Sequence, residues 1–400
     1  MEVMIERLSD NGDGIGRVLG KVIFIPKTLP GDLVLVKIVK EYKNYIKGEV
    51  LEYLECSDKR SLVSCPYYYE CGGCQLMGLD YDSQLVYKKD KVINILKKYA
   101  NIDFNPNIVG SDNYHYRNKI TIQVKNGKMG LYKVGSNDLV SIDKCLLVSD
   151  NVNSLIRLIK DSLDLTGINQ IVIREALNQL MVKFIGKIDR IILIEKILPF
   201  VKSLYLNDEL LGGDECLKDK LGNYQFLISP NSFFQVNHNQ TINLYNQVKK
   251  YLGEDNGRVM DLYCGTGSIG IYVSSCCKRV DGIEVSSSSV GDANNNILLN
   301  NLDNVFVELG DVSKVLEISN DYDAVIVDPP RSGLDKRTKS ILKRMRCSKV
   351  IYVSCDPMTL ARDLKELQDV YDVIDINLFD MFPNTYHVES VVLMKLKNNF

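Results

Sequence analysis

Long apolar runs are missing from the 400-residue sequence. A membrane-spanning helix needs about 18 or more consecutive apolar residues, so we expect no membrane partner. The first residues, MEVMIERLSDNGDG, are too acidic and too polar for a signal peptide, and we therefore expect a cytoplasmic protein. Repeats and low-complexity tracts are also absent, and the composition is that of an ordinary globular chain. The length favours about two or three domains, in a protein that we expect to be monomeric.

A large net charge is missing too. The formal charge at pH 7 is −2, so the overall balance gives no indication of a nucleic-acid partner. Basic residues are nevertheless concentrated in residues 37–47, 88–98 and 336–346. Such stretches are typical of surfaces that follow a phosphate backbone, but each is equally consistent with a solvated helix or loop face.

Stable disulfides are rare in the cytoplasm, so the eleven cysteines need another explanation. Catalysis and metal binding are the first candidates. Cys65, Cys71 and Cys74 form a C-x5-C-x2-C pattern in a loop, and Cys145 follows in a separate segment. Four thiolates can hold zinc or an iron–sulfur cluster. The spacing alone does not choose between these groups, and it does not exclude a chance grouping without metal.

Three segments of the chain show different patterns. Residues 1–55 contain short strand-like runs separated by turn signals, which predicts a small antiparallel β-barrel. Residues 56–230 contain the cysteine-rich loop, a helix, and then strands mixed with helices, which predicts a mixed α+β central domain. Residues 231–400 alternate helices with short apolar strands, and this rhythm predicts a mostly parallel sheet with helices on both faces.

A glycine-rich turn follows the first strand of the last segment, in VMDLYCGTGSIGIY. Gly265, Gly267 and Gly270 match G-x-G-x-x-G, and Glu284 ends the next strand, where it would accept hydrogen bonds from a ribose. The same pattern occurs in dinucleotide-binding proteins. Asp261 favours S-adenosylmethionine instead, because a carboxylate beside the turn can hold the ammonium group of that cofactor but would repel a pyrophosphate.

Two other strand ends support this cofactor. The DPP sequence that begins at Asp328 is common in methyltransferases and unexpected in dehydrogenases. Asp311 follows the third strand, where it is expected to lie near the adenine. Ligands of doubly wound sheets bind outside the carboxyl ends of the strands, so these side chains should share one edge.

Cys355 also ends a strand, directly before Asp356 and Pro357. Glu389 would lie at the same edge if the last strand is antiparallel. A thiolate that attacks C6 of uracil makes C5 nucleophilic enough to take a methyl group, and a base such as Glu389 must then remove the C5 proton. Considered alone, however, a cysteine at a strand end is more often a small buried residue, and a lone glutamate is more often a solvated one.

Five stretches resemble the RNA uridine C5-methyltransferases and occur in the family's order: SPNSFFQVN, DLYCGTG, DPPRSGL, YVSCDP and DMFPNTYHVE. The resemblance implies an α/β class I (Rossmann-like) methyltransferase domain with Cys355 as the nucleophile, Glu389 as the base and Asp328 holding the uracil edge. The expected cofactor contacts are Gln235, Asp261, Tyr263, Gly265, Glu284, Asp311 and Asp328. The expected RNA contacts are Phe233, which would pack near the target base, and Arg117 and Lys119 in the stretch YHYRNKI.

The N-terminal segment resembles a TRAM domain, which is an RNA-binding barrel. Members of the family that are specific for 23S ribosomal RNA carry cysteines in this arrangement around a [4Fe–4S] cluster. The resemblance therefore implies such a cluster, with zinc as the alternative, on Cys65, Cys71, Cys74 and Cys145.

We accordingly expect a methyltransferase that acts on C5 of a flipped uridine in 23S rRNA through a covalent adduct with Cys355. A tRNA uridine C5-methyltransferase and a non-catalytic iron–sulfur RNA-binding protein are the alternatives. One residue departs from the family pattern, since Asp356 occupies a position that is often asparagine. A carboxylate beside the thiol would disfavour the thiolate unless it is paired.

Overall fold

The computed structural model describes residues 1–319 and 321–398. The strands in this part of the chain are β1 (Glu2–Met4), β2 (Arg7–Leu8), β3 (Gly14–Val18), β4 (Lys21–Ile25), β5 (Leu33–Glu41), β6 (Tyr45–Glu55), β7 (Asn107–Val109), β8 (Lys119–Lys125), β9 (Lys128–Tyr132), β10 (Leu139–Ser141), β11 (Ile168–Ala176), β12 (Gln179–Gly186), β13 (Ser203–Leu206), β14 (Glu209–Gly213), β15 (Leu217–Leu221), β16 (Tyr224–Ile228), β17 (Asn256–Leu262), β18 (Cys277–Glu284), β19 (Val305–Leu309), β20 (Ala324–Val327), β21 (Lys349–Ser354), β22 (Tyr371–Phe379) and β23 (Glu389–Leu396). The α-helices are α1 (Tyr81–Ile95), α2 (Asp150–Ser162), α3 (Arg190–Lys196), α4 (His238–Leu252), α5 (Ser268–Val273), α6 (Ser287–Leu299), α7 (Val312–Val315), α8 (Lys336–Met345) and α9 (Pro357–Leu367).

The first six strands form a small barrel, as the turn signals predict, but it is not wholly antiparallel, because β4 pairs with β6 in parallel. Their order is β1-β5-β6-β4-β3-β2, and β1 also contacts β3. Alternate residues of the strands point inward, so Ile23, Ile25 and Val34 are fully buried in an aliphatic core. The longest strands, β5 and β6, extend beyond this core, and their far ends are exposed.

The central part of the chain contains a mixed seven-stranded sheet in the order β10-β9-β8-β11-β12-β13-β14. The apolar face of α2 packs on it, and the side chain of Ser149 caps that helix by accepting from the Val152 amide. The hairpin of β15 and β16 follows and leads into the loop before α4. This mixed α+β arrangement agrees with the prediction.

The C-terminal part is an eight-stranded sheet in the order β19-β18-β17-β20-β21-β23-β22-β7. The strands β19, β18, β17, β20 and β21 run parallel, while β23 is antiparallel to both of its neighbours. Helices cover both faces and bury two large apolar clusters. The carboxyl ends of the parallel strands therefore share one edge with the start of β23.

Residues 81–109 connect the central part to this sheet. Strand β7 pairs with β22 at the sheet edge, and α1 packs against α9 through apolar residues that include Val92 and Ile95. The division of the chain at residues 55 and 230 stays a prediction. In the structure, residues 81–109 of the predicted central domain contribute to the C-terminal core instead. None of the helices formed by the described residues is long and apolar enough to cross a membrane.

A buried ion pair fixes α1 to the segment that precedes β23. Lys88 donates to a carboxylate oxygen of Asp380 and to the Phe382 carbonyl, and the side chains of both charged residues are inaccessible to solvent. The Tyr81 hydroxyl donates to the other carboxylate oxygen. Because a buried charge is stable only when it is paired, this contact holds the two segments together.

Replacing Lys88 with methionine is expected to lower the free energy of unfolding by about 3 kcal/mol or more, because the Asp380 carboxylate is left buried without its cation. Chemical denaturation followed by far-UV circular dichroism measures the change. Lys97→Met is the matched control, since it removes only an exposed ion pair with Asp103. Equal midpoints for the two variants would contradict the assigned role of the buried pair.

Candidate active site

The glycine-rich turn lies between β17 and α5. Gly265 and Gly267 have φ angles of 55° and 73°, and Tyr263 also lies in the left-handed region, with φ of 63°. Glycine adopts this conformation freely, whereas for tyrosine it is strained. The turn is held from below by Glu284, whose Oε2 accepts from the Gly265 amide at 3.0 Å and whose Oε1 accepts from the Ser286 amide at 2.8 Å.

Asp261 lies beneath this turn and is 1% exposed. Its Oδ2 accepts from the Gly270 amide at 2.9 Å, and a Cβ at position 270 would come within 3.0 Å of the same oxygen, which explains the glycine there. Its Oδ1 is buried and has no hydrogen-bond partner among the residues the structure describes. Burial raises the pKa of Asp261 to about 7, so a cationic ligand at this oxygen would restore the charged form.

Of the remaining predicted cofactor contacts, Asp311 lies at the same edge, because it follows the parallel strand β19. Asp311 caps the N-terminus of α7, and its Oδ1 accepts from the Ser313 hydroxyl and amide, which lowers the pKa of the carboxyl. Gln235 is half-buried in the loop before α4, where its carbonyl accepts from the Asn118 side chain. Phe233, in the same loop, is 66% exposed. The cofactor and base contacts assigned to these residues stay predictions.

Cys355 and Glu389 are brought together by the register of two strands. β21 and β23 are antiparallel, with Ser354 opposite Ser390. The next position along this register pairs Cys355 with Glu389, because opposed residues of antiparallel strands advance in opposite directions. The predicted nucleophile and the predicted base are therefore neighbours across two strands.

Asp328 lies at the same edge, because it immediately follows the adjacent strand β20. Its amide donates to the carbonyl of Leu262, the last residue of β17, at 3.3 Å. This backbone hydrogen bond joins the end of β20 to the strand that leads into the glycine-rich turn. All three predicted catalytic side chains therefore lie at the edge of the sheet that carries this turn.

Burial, assisted by the acidic residues at this edge, favours the neutral thiol in the free protein. Burial raises the pKa of the Cys355 thiol to about 12, and the Glu389 and Asp328 carboxylates add to the effect, whereas Arg331 opposes it. Burial, followed by the Asp328 charge, raises the pKa of Glu389 to about 8. Burial alone raises the pKa of Asp328 to about 7. These groups therefore hold protons near neutral pH, as acids and bases of a reaction site often do.

A cavity of about 120 Å³ opens beside the thiol, and sequence reasoning missed much of its wall. Besides Cys355 it is lined by Asp10 and Asn11 from the barrel, and by Lys91 from α1. No local motif marks these residues, because they reach the thiol only through the packing of separate segments. The barrel is held there by Tyr87 of α1, whose hydroxyl donates to the Ser9 carbonyl at 2.6 Å.

Asp356, the departure from the family pattern, begins α9. Its Oδ1 accepts from the Met358 and Thr359 amides at 2.9 Å, so the carboxylate caps the helix. Lys91 lines the same cavity, where its Nζ donates to the Tyr386 carbonyl at 3.1 Å. The extra carboxylate is thus hydrogen-bonded and has a cation nearby, although it still contributes to the raised pKa of Cys355.

Replacing Asp356 with asparagine is expected to keep the helix cap and to remove a negative charge beside the thiol. Because the thiolate forms as pH rises, a lower thiol pKa moves the rise in reactivity to lower pH, by about half a unit to one unit. The pH dependence of covalent capture by RNA containing 5-fluorouridine measures the shift. Asp189→Asn, which changes the cap of α3, is the control and should leave the profile unchanged. An unshifted profile for Asp356→Asn would contradict this electrostatic role.

Two other residues near the site, Arg362 and His387, have contacts that position the surrounding loops. Arg362 donates to the Ser332 carbonyl at 2.8 Å and to the Asp363 carboxylate, so it holds the loop after Asp328. The Nε2 atom of His387 lies 3.4 Å from a guanidinium nitrogen of Arg331. Burial, followed by the Arg331 charge, lowers the pKa of His387 to about 4.

The four predicted metal ligands line a second cavity, of about 410 Å³. Cys65, Cys71, Cys74 and Cys145 come from the cysteine-rich loop and from the segment after β10, and Arg117 and Lys119 lie on the same wall. Within residues 1–319 and 321–398, no three His, Cys, Asp or Glu side chains are arranged to bind a single metal ion. The RNA contacts predicted for Arg117 and Lys119 stay predictions.

Comparisons with known proteins agree with this geometry. The family model described as tRNA (uracil-5-)-methyltransferase matches residues 178–397, and the TRAM domain model matches residues 1–51. The chain belongs to the RNA (uracil-5-)-methyltransferase family. An uncharacterized RNA methyltransferase of Halalkalibacterium halodurans is 34% identical, with 100% of this chain and 97% of the relative covered. One from Clostridium acetobutylicum is 32% identical, with 98% and 96% covered.

A solved structure resembles the whole architecture. It is the tRNA (uracil-54, C5)-methyltransferase of Pyrococcus abyssi in complex with S-adenosyl-L-homocysteine, with a TM-score of 0.82 and 28% identity. The match covers 98% of this chain and 100% of the other. The predicted fold class and the prediction of an S-adenosylmethionine-dependent RNA methyltransferase are confirmed.

Proposed function

We propose that this RNA methyltransferase transfers a methyl group to C5 of a uridine through a covalent bond between Cys355 and C6. The observation that carries the proposal is the antiparallel register of β21 and β23, in which Ser354 lies opposite Ser390, so that the flanking residues Cys355 and Glu389 lie near each other at the edge that holds the glycine-rich turn. A thiol, a base and a cofactor site at one edge are the three parts that C5 methylation requires. A non-catalytic RNA-binding protein would not need this arrangement.

The reaction begins when the Cys355 thiol releases its proton to water and Sγ adds to C6 of the flipped base, which opens the C5–C6 double bond. The ring then carries negative charge at C5 and O4, and Asp328 holds the uracil edge. S-adenosylmethionine, when bound, supplies the methyl group that C5 takes. Glu389 next removes the C5 proton, and the electron pair of that C–H bond re-forms the C5–C6 double bond as the Cys355 thiolate leaves. A base with a pKa near the working pH suits this last step.

The residues around the glycine-rich turn fit the cofactor. The unpartnered Oδ1 of Asp261 can accept from an ammonium group, and Gly265 leaves open space where a Cβ would project. Glu284 and Asp311 would hold the ribose and the adenine end.

We further propose that the cysteine cavity holds a [4Fe–4S] cluster, with zinc as the alternative. Four thiols line a cavity of about 410 Å³, which is much larger than a single ion needs. Cys65, Cys71, Cys74 and Cys145 would be the ligands. Iron and sulfide analysis of protein purified without oxygen tests this assignment.

The RNA proposed as the substrate is 23S rRNA, and tRNA is the second candidate. The cysteine arrangement supports ribosomal RNA. The tRNA candidate is supported by the Pyrococcus abyssi enzyme, which matches 98% of the chain, so the presence of a barrel does not separate the two substrates. Mapping of 5-methyluridine in rRNA and tRNA, with and without the gene, decides between them. Loss of the modification from 23S rRNA alone is the expected result, and loss from tRNA alone would overturn this choice.

A further inference from the structure

Lys27 follows strand β4 of the barrel and is only 6% exposed. Its Nζ reaches across to the cysteine-rich loop, where it donates to the Cys71 carbonyl at 3.0 Å and to the Cys74 carbonyl. The same atom lies 4.2 Å from the ring centroid of Tyr68 in that loop. Three contacts of one ammonium group therefore join the barrel to the loop that carries three of the four cysteines.

The backbone at Lys27 is also constrained. Its φ angle is 66°, a left-handed conformation that is unfavourable for a residue other than glycine. The Lys27 carbonyl accepts from the Tyr53 hydroxyl of the barrel at 2.9 Å and from Arg60 at 3.2 Å. Such strain persists only where the surroundings hold it, so the position of this side chain is strongly determined.

No carboxylate contacts the ammonium group of Lys27 directly. Among the described residues, its Nζ forms no ion pair with an Asp or Glu. Asp13 acts on it only from a greater distance. Buried charges are normally paired or bound to a group of opposite charge. A group held by four thiolates is anionic, and the loop that would carry it is the one Lys27 contacts. The loop also contacts the segment that precedes Glu389, because the Leu76 amide donates a hydrogen bond to the Asn384 carbonyl.

We propose that Lys27 is a positioning residue that couples the anionic group of the cysteine cavity to the RNA-binding barrel. Loss of that group then loosens the barrel from the cysteine-rich loop. This inference rests on the cluster proposed above and adds a role for it, in holding the RNA-binding barrel in place beside the active site.

The test compares full-length Lys27→Met and Lys27→Gln with the wild type, all purified without oxygen. Glutamine keeps a hydrogen-bond donor and removes the charge, and it serves as the second variant should the methionine variant fold poorly. Lys21→Met is the control, because it removes a barrel lysine that pairs with Glu41 away from the loop. Iron content, the decay of visible absorbance in air, and hydrogen exchange are measured.

Both Lys27 variants are expected to lose iron at least about tenfold faster than the wild type, a factor that corresponds to about 1.4 kcal/mol. Hydrogen exchange in residues 21–29 and 65–77 should rise, while exchange in β17 and binding of S-adenosylmethionine stay unchanged. Removal of iron from the wild type should raise exchange in the same residues, and its removal from Lys27→Met should add little.

If both Lys27 variants retain iron and exchange hydrogen at the same rates as the wild type, the coupling is overturned while the cluster proposal stays intact. Retention in Lys27→Gln alone would overturn the role of the charge. A wild-type protein that holds neither iron nor zinc would overturn both proposals, so the two failures are distinguishable.

Discussion

Replacing Cys355 with alanine is expected to reduce methyl transfer to RNA by about 10⁴-fold or more, because the attack on C6 loses its nucleophile. Transfer of labelled methyl groups from S-adenosylmethionine measures the loss. Cofactor binding should be unchanged, since the glycine-rich turn and Asp261 lie on other strands. The size of the effect follows from the poor nucleophilicity of C5 in the absence of a bond to C6.

Cys347→Ala is the matched control, because this cysteine is also buried in the C-terminal part but lies before β21, at the opposite end of the strand. It should retain activity within about twofold, as expected for a residue away from the reacting atoms. Substantial methyl transfer by Cys355→Ala would show that C5 is activated in another way.

Replacing Glu389 with glutamine is expected to lower the rate of turnover by about 10² to 10⁴-fold, because the C5 proton is no longer removed. The first methyl transfer can still occur, so the enzyme should accumulate as a covalent adduct with methylated RNA. Denaturing gel electrophoresis with unmodified substrate RNA detects this adduct. Its carbon–sulfur bond cannot break without loss of the C5 proton.

Glu308→Gln changes an exposed glutamate on β19 and should leave turnover unaffected. If Glu389→Gln turns over slowly without accumulating an adduct, the carboxylate acts before methyl transfer and is not the base for the C5 proton.

Much of the catalytic edge could be predicted from local sequence. The glycine-rich turn, Glu284 and Cys355 each end a strand, and the βαβ rhythm implies that such ends share an edge. The position of Glu389 required one further assumption, that the last strand is antiparallel, and the register of β21 and β23 bears it out.

The roles of the lysine-rich stretches could not be predicted in this way. In residues 88–98, Lys88 is buried against Asp380, and in residues 336–346, Lys339 is buried against Asp363. These two lysines lie neither on an RNA surface nor on a solvated face, because each is buried in an ion pair. The local sequence does not reveal these pairs, because the partners are distant in sequence or on another helix. Residues 37–47 are different, since they form an exposed hairpin in which Tyr42 stacks on Tyr45.

Contacts between separate segments account for the other omissions. Asp10, Asn11 and Lys91 reach the thiol cavity, and Lys27 reaches the cysteine-rich loop, only after the barrel has packed against α1 and the loop. Composition and periodicity report the structure of each segment but not how separate segments pack.

The covalent bond between Cys355 and C6 of the uridine can be tested directly by peptide mass spectrometry. The enzyme is analysed after reaction with S-adenosylmethionine and RNA containing 5-fluorouridine. Fluorine at C5 prevents the final proton removal, so the adduct should persist. We expect the peptide that contains Cys355 to carry a methylated fluorouridine. A modification on any other cysteine, or methylation of natural RNA without any trapped peptide, would contradict this expectation.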